Sequence, residues 1–314
     1  MKLHLLDAQH LGMSRVICVG VLAAQNGSLT LIDPGPASVF SHVIEALRQR
    51  HLEPGNVQRV LVTHVHLDHS GGAWAWAKAF GSQVYAHPRG TPHLRNPEKL
   101  IASAARIYGD RMSRLWGDIK PIEPALVADL EDGETIVCDE WSVTALATPG
   151  HAQHHHCFWI GDERLLFAGD VAGVTIDGGP VFPPCPPPDI DLEAWKNSLA
   201  RLRSLLPARV VATHFGEIAS PAERLDELAG RLDRWVEWVG ACLERGESEE
   251  SFAPAFCAGR KEELRASHLD DDTLRVYEQA DPAMMSVAGL ARYWRKFRHP
   301  LRELRSPEAS DLRT

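Results

Sequence analysis

"LVTHVHLDHSGG" (Leu61–Gly72) is the stretch on which the reading of this chain turns. A β-branched run leads into His64, His66, Asp68 and His69, and Gly71 and Gly72 then open a helix. His64 and His66 are two positions apart, so on an extended backbone their side chains point the same way. Asp68 and His69 follow in the turn, where they can face a second point nearby. Imidazole and carboxylate donors together suit a borderline divalent ion such as Zn²⁺. Such a density of donors is improbable for an ordinary polar loop.

One turn cannot close two metal sites, so further donors are expected at later strand ends. Three places supply them. "TPGH" puts His151 just after a strand and a glycine turn, "LLFAGD" delivers Asp170 behind an apolar strand with Gly169 permitting close approach, and "VVATHFGE" delivers His214.

Around these motifs, short β-rich runs alternate with helical patterns up to about Thr213. "SRVICVGVLAA" and "SLTLIDPG" flank "QNG", a hairpin signal. Val39, Val43, Ile44 and Leu47 lie at helical spacing after Pro36. "VQRVLVTH" predicts a strand, "SGGAWAWAKAFG" a short helix closed by Gly81, and "SQVYAHP" a strand stopped by Pro88. Asn96–Gly117 reads as one helix, followed by strands in "ETIVC", "WSVTALATP", "HHCFWI" and "RLLFAG". "GGPVFPPCPPPD" is too rich in proline for helix or central strand and predicts a stiff surface loop. A helix ended by Pro207 and the strand "ARVVATH" complete a unit spanning residues 1–219. From residue 220 the pattern becomes amphipathic and helical, first through Leu225, Leu228, Leu232, Trp235, Val236 and Val239, then through Met284, Val287, Leu290, Ala291, Trp294 and Phe297. Residues 220–314 are therefore expected to form a helical appendage, frayed after Pro307.

Composition narrows the setting. The 314 residues, 44% hydrophobic and 24% charged, suit a globular chain with a sizeable core. No apolar run reaches the roughly 18 residues that span a bilayer. The N-terminus is too polar for a signal peptide, which points to the cytoplasm. The six cysteines are far apart and lack a CxxC pair, as expected of buried thiols in a reducing compartment. A net charge of −9 gives no general attraction to nucleic acid.

The pieces "THVHLDHSGG", "TPGH", "FAGD" and "ATHFGE", in that order and preceded by "LIDPG", resemble the metallo-β-lactamase superfamily over about residues 14 to 217. The resemblance implies an α/β fold, the αββα sandwich, with two metals at its edge. It implies His64, His66 and His151 on one metal, Asp68, His69 and His214 on the other, and Asp170 bridging them. The ions would be divalent, zinc first, with iron or manganese as alternatives. Asp33 would orient a ligand through hydrogen bonds, although a plain turn aspartate before Pro34 is the competing reading. His155 stands where the related motif "TPGHTxGH" has a second histidine, a supporting position rather than a ligand. His154 and His156 share a strand face and stay open, with His154 the better placed to reach the pocket. Two metals would lower the pKa of a water between them from about 16 toward neutrality and so supply a bridging hydroxide. Asp68, beside that water, is the residue to orient it and relay its proton as catalytic base.

Fold and metals do not choose the substrate. The segment after Asp170, "GDVAGVTIDGGPVFPPCPPPD", departs from the pattern of glyoxalase II, which counts against glutathione thioesters. Basic RNA-handling segments are absent from the sequence. The expected activity is hydrolysis of a small carboxylic ester, thioester or lactone, with the long helix, the proline loop and the C-terminal helices walling the pocket. The expected partner is a small molecule rather than nucleic acid or membrane, and a homodimer is compatible with the sequence. The alternatives are a phosphodiesterase or nuclease, and a metal-binding scaffold without catalysis. His87 and His93 beside prolines read as structural, Cys185 as a bystander, and Trp74 and Trp76 as core, one of them with a place in the pocket as the alternative.

Overall fold

The computed structural model describes residues 1–298; His299 and the tail after Pro307 lie outside the described residues. Two six-stranded sheets form its centre. The first runs in chain order through β1 (Lys2–Asp7), β2 (Cys18–Ala23), β3 (Leu29–Ile32), β4 (Val57–Leu61), β5 (Gln83–Ala86) and β6 (Val127–Asp129). It is antiparallel from β1 to β3 and parallel from there on. The second contains β7 (Thr135–Cys138), β8 (Trp141–Ala147), β9 (His156–Ile160), β10 (Leu165–Phe167), β11 (Arg209–Ala212) and β12 (Gly216–Glu217), with β10 and β11 its parallel pair.

Strand alternation sorts the apolar side chains into three layers. Leu22, Ile32 and Leu61 of the first sheet meet Val143, Ala145, Phe158, Leu165, Phe167 and Val211 of the second in the space between the sheets. The outward residues Val19, Val21, Leu29, Leu31 and Val60 pack under α1 (Phe40–Arg48), through Val43 and Leu47. On the opposite side Cys157, Leu166, Val210 and Ala212 pack under a later helix through Trp195, Leu199 and Leu202. Each such buried side chain contributes roughly 1.5–3 kcal/mol. This is the αββα arrangement expected from the sequence.

The helix expected from "SGGAWAWAKAFG" is α3 (Ala73–Phe80), which follows Gly71 and Gly72 and closes at Gly81; a separate turn, α2 (Leu67–Ser70), precedes the glycines. After α4 (Thr91–Arg95), the helix expected over Asn96–Gly117 is broken. α5 (Glu98–Tyr108) stops at Gly109, where φ is +51°, and the chain turns into α6 (Met112–Trp116). The break lets Tyr108 meet Trp116 edge-to-face at 5.1 Å. α7 (Leu192–Ser204) is capped by the Asp191 side chain.

Four helices follow: α8 (Pro221–Glu244), α9 (Glu249–Ala266), α10 (Asp271–Ala280) and α11 (Ala283–Tyr293), the last continuing into a π-helical turn. The second amphipathic pattern corresponds to α11, whereas α9 and α10 had no clear signal. Leu225, Leu228, Phe252, Val287 and Leu290 join the same apolar cluster as β9–β11 and α7. No helix among the described residues is long and apolar enough to cross a membrane.

Candidate metal centre

The predicted donors converge at one edge of the sandwich. His64, His66, His151 and Asp170 form one group and Asp68, His69 and His214 a second; within each, the donor atoms lie within 4.8 Å of one another. The chain has left β4 before His64, and α2 starts just after His66. The two histidines consequently offer different ring atoms: His64 Nε2 and His66 Nδ1 are 2.9 Å apart, and His151 Nε2 is 3.0 Å from the latter.

Asp170 lies between the groups. Its Oδ2 is 3.2 Å from His151 Nε2 and 3.9 Å from His64 Nε2, while its Oδ1 is 3.2 Å from His69 Nε2 and 3.5 Å from His214 Nε2. Asp68 Oδ2 is 3.4 Å from His214 Nε2. Gly169, at φ +49°, permits this delivery, since a Cβ there would come within 2.7 Å of His155 Nε2 and 2.8 Å of Thr63 Oγ1.

Outer hydrogen bonds fix which ring nitrogens point inward. His69 Nδ1 donates to Asp33 Oδ2 at 2.7 Å, His151 Nδ1 to the Pro184 carbonyl at 2.8 Å, and His214 Nδ1 to the Val16 carbonyl at 2.6 Å. Thr63 Oγ1 donates to Asp33 Oδ2 at 2.7 Å, so it accepts from His64 Nδ1 at 3.1 Å. With each Nδ1–H engaged outward, the Nε2 atoms of His64, His69, His151 and His214 all face the centre. His155 stays outside the donor groups: its Nδ1 bonds Thr148 Oγ1 at 2.8 Å, and its Nε2 accepts from the Asp170 backbone N–H at 3.3 Å.

Electrostatics divide the two groups. Burial, then crowding by neighbouring imidazoles, pushes His64 and His66 well below the usual histidine range. Burial also lowers His151, against the pull of Asp170. Burial opposes charge on His69 as well, but the carboxylates of Asp170, Asp68 and Asp33 outweigh it and raise its pKa well above the ordinary value. His69 Nε2 and Asp170 Oδ1 are buried, face each other at 3.2 Å and have no well-aligned hydrogen bond among the described residues. Buried donor atoms packed this closely, imidazole against carboxylate, fit a cation between them, and the set fits divalent metal.

A cleft of about 220 Å³ opens onto both groups. Its walls come from α5 and α6 (Leu100, Ile107, Tyr108, Trp116), the proline loop, and the start of α11 (Met285). The three walls are those expected from the sequence. His154 and His93 also line the cleft; the proline beside His93, which suggests a structural role, starts the short helix α4 that carries His93 to the cleft. His156 instead packs on His87, ring centres 4.7 Å apart. Trp76 is fully buried, and Trp74 donates to the Asp118 carbonyl at 2.8 Å; neither lines the cleft. The Cys185 side chain is buried outside the cleft. The outer acceptors at Val16 and Pro184 are backbone carbonyls, for which side-chain identity gives no signal.

A two-sheet sandwich flanked by helices, with two histidine–aspartate groups at one edge, defines a class of metal-binding α/β proteins. The family profile for the metallo-beta-lactamase superfamily matches residues 15–214. The chain belongs to that superfamily and stands among its hydrolases. It is 30% identical over 178 residues to a metallo-beta-lactamase fold-containing protein of Sulfurisphaera tokodaii, covering 56% of this chain and 66% of the relative. The solved structure of that archaeal protein superposes with a TM-score of 0.62 at 25% identity, over 73% of this chain and 85% of the other. A hydroxyacylglutathione hydrolase of Bdellovibrio bacteriovorus is 29% identical, over 58% of this chain and 57% of its own length. An acyl-coenzyme A thioesterase of Bos taurus is also 29% identical, over 58% of this chain and 63% of its own.

Proposed function

We propose that the protein hydrolyses a small carboxylic ester, thioester or lactone, with two divalent ions held by His64, His66 and His151, by Asp68, His69 and His214, and by Asp170 between them. Zinc is the ion this donor chemistry suits best, with iron or manganese as alternatives. The observation that carries the reading is the cleft: a largely apolar enclosure reached by His66, His151 and Asp170 of one donor group and by Asp68 of the other. Relatives named as thioester hydrolases support the same class.

Ions bound there would acidify a water toward neutral pH and draw charge from a scissile carbonyl. The protein's own residues do the rest. Asp68, with a side chain 24% exposed against 5% for Asp170, is the more open of the two donor carboxylates that line the cleft. It is placed to orient the attacking water and receive its proton. His155 and Thr148 hold the Asp170 backbone, and Asp33 holds His69, so neither donor reorients as charge develops. The apolar walls and the proline loop enclose these groups on three sides.

Among lining residues Lys99 is the single lysine or arginine, facing Asp68, Asp170, Asp189 and Asp281. Beyond the donor groups, whose carboxylates the proposed ions would neutralise, the cleft therefore offers no basic track for a polyanion, which supports a small-molecule substrate over nucleic acid. The test is a kinetic panel on metal-loaded protein: p-nitrophenyl esters, lactones, thioesters and bis-p-nitrophenyl phosphate. Turnover confined to the phosphodiester would replace this reading with the nuclease class. Absence of turnover on every substrate by a protein that binds metal would favour the scaffold.

A further inference from the structure

Three features outside the donor groups invite explanation: the buried His87–His156 pair, the Tyr108–Trp116 wall, and a polar chain running from α9 to the proline loop. The last is traced by explicit bonds to a donor residue. Pro184 accepts from His151 Nδ1 at 2.8 Å through its carbonyl, and the N–H of the same peptide unit, on Cys185, donates to Ser286 Oγ on α11 at 3.2 Å. A peptide group is planar, so fixing its N–H fixes the direction of its C=O. Ser286 Oγ in turn donates to Asp281 Oδ1 at 3.2 Å, and Arg260 Nη2 on α9 lies 2.9 Å from Asp281 Oδ2 while donating to the Asp281 carbonyl at 3.0 Å. Every member is buried: Ser286 and Cys185 at 0% exposure, His151 at 1%, Asp281 at 2% and Arg260 at 5%. Gly289, one helical turn past Ser286, lets α11 lie on the loop, since a Cβ there would sit 1.9 Å from the Cys185 carbonyl oxygen.

We infer that Ser286, seated on α11 and held by the Asp281–Arg260 pair, is a positioning residue for His151, acting through the Pro184–Cys185 peptide. The helices beyond residue 220, which lie outside the family match, thereby complete the outer support of one metal group. The inference rests on His151 being a ligand, as proposed above. Partners one step from a ligand are typically worth about 10–100-fold in metal affinity. Ser286 is one step further out, so the lower end, about tenfold, is expected.

The experiment compares wild type, Ser286→Ala, Gly289→Ala and Val287→Ala. The last removes a core contact from the same helix and leaves Ser286 and Gly289 in place. Zn²⁺ affinity is read by competition with a chromophoric chelator, the visible spectrum of the Co²⁺-loaded protein reports ligand geometry, and melting of metal-free protein reports stability. Ser286→Ala and Gly289→Ala should each weaken one Zn²⁺ site about tenfold and alter the cobalt spectrum. Val287→Ala should lower the melting temperature and leave both metal readouts unchanged. If Ser286→Ala does not fold, Gly289→Ala and Ser286→Thr, which retains the hydroxyl, carry the test, the latter restoring the wild-type spectrum. Unchanged affinity and spectrum in Ser286→Ala or Gly289→Ala, or equal losses in Val287→Ala, would overturn the positioning role. A wild-type protein that binds no metal would instead remove the underlying assignment.

Discussion

Asp33→Asn separates a supporting residue from an ordinary turn aspartate. Asp33 is 1% exposed and accepts four hydrogen bonds. Oδ1 takes the Thr63 backbone N–H at 2.8 Å, and Oδ2 takes Thr63 Oγ1 at 2.7 Å, His69 Nδ1 at 2.7 Å and Thr213 Oγ1 at 2.8 Å. Asparagine matches this shape but offers an acceptor on one side only. With its oxygen at the Oδ2 position, its amide N–H₂ faces the Thr63 N–H, and a buried backbone donor loses its partner. Turned the other way, the threonine hydroxyls can rotate to accept, but His69 Nδ1–H cannot. The milder orientation strands one donor, a loss of about 1–3 kcal/mol. Either orientation replaces a carboxylate beside His69 with a neutral amide, which should weaken the metal group containing His69 by about 10–100-fold. Urea denaturation of the metal-free protein measures the first effect, and competitive Zn²⁺ titration the second. The His64–His66–His151 group, which Asp33 reaches only through Thr63 Oγ1 and His64, should lose less affinity than the His69 group. A variant within about 0.5 kcal/mol of wild-type stability, the usual range for neutral surface changes, and with unchanged metal affinity would reduce Asp33 to a turn former.

Asp170→Ala should abolish hydrolysis and lower the metal content below the two ions per chain expected of wild type, as read by elemental analysis beside initial rates. Cys185→Ala should leave kcat within about twofold, because the backbone N–H rather than the thiol is engaged, while the small cavity costs on the order of 1 kcal/mol in denaturation. His156 gives a pH prediction. Burial, reinforced by His87, pushes it down to about 3. Between that value and the unfolded value near 6.5 the unfolded chain binds the proton and the folded chain does not, so stability falls as pH falls through this window, by about 1.4 kcal/mol per unit. His156→Phe should flatten that limb of the stability curve, and an unchanged slope would refute the assignment.

The sequence was legible where chemistry and backbone coincide. His64, His151, Asp170 and His214 follow β4, β8, β10 and β11 within a few residues, while His66 immediately precedes α2 and Asp68 and His69 lie within it; motif order along the chain therefore carried over into one sheet edge, although strand alternation set none of the donor directions. The misses have local causes. β1 is an edge strand, and "KLHLLD" lacks the clean alternation of a half-buried one. α9 carries Pro254 inside the helix, a signal that normally argues against one, and the packing of Phe252, Ala253 and Phe256 into the core overrides it. The Asn96–Gly117 break turns on one glycine whose positive φ no periodicity encodes.

The deeper gap concerns support rather than ligation. A donor announces itself by its side chain, whereas the groups that aim it are often carbonyls: Val16 for His214 and Pro184 for His151. Such acceptors can be supplied by any residue, so they leave no mark in a motif, and the constraint moves to whatever holds that peptide in place. Here part of it falls on Ser286 and Gly289, about a hundred residues downstream of Pro184, on a helix that amphipathic patterning alone would assign to core packing. A small polar residue and a glycine on the buried face of such a helix are therefore informative. Neither improves an apolar core, and their presence there signals a backbone being held for some other purpose.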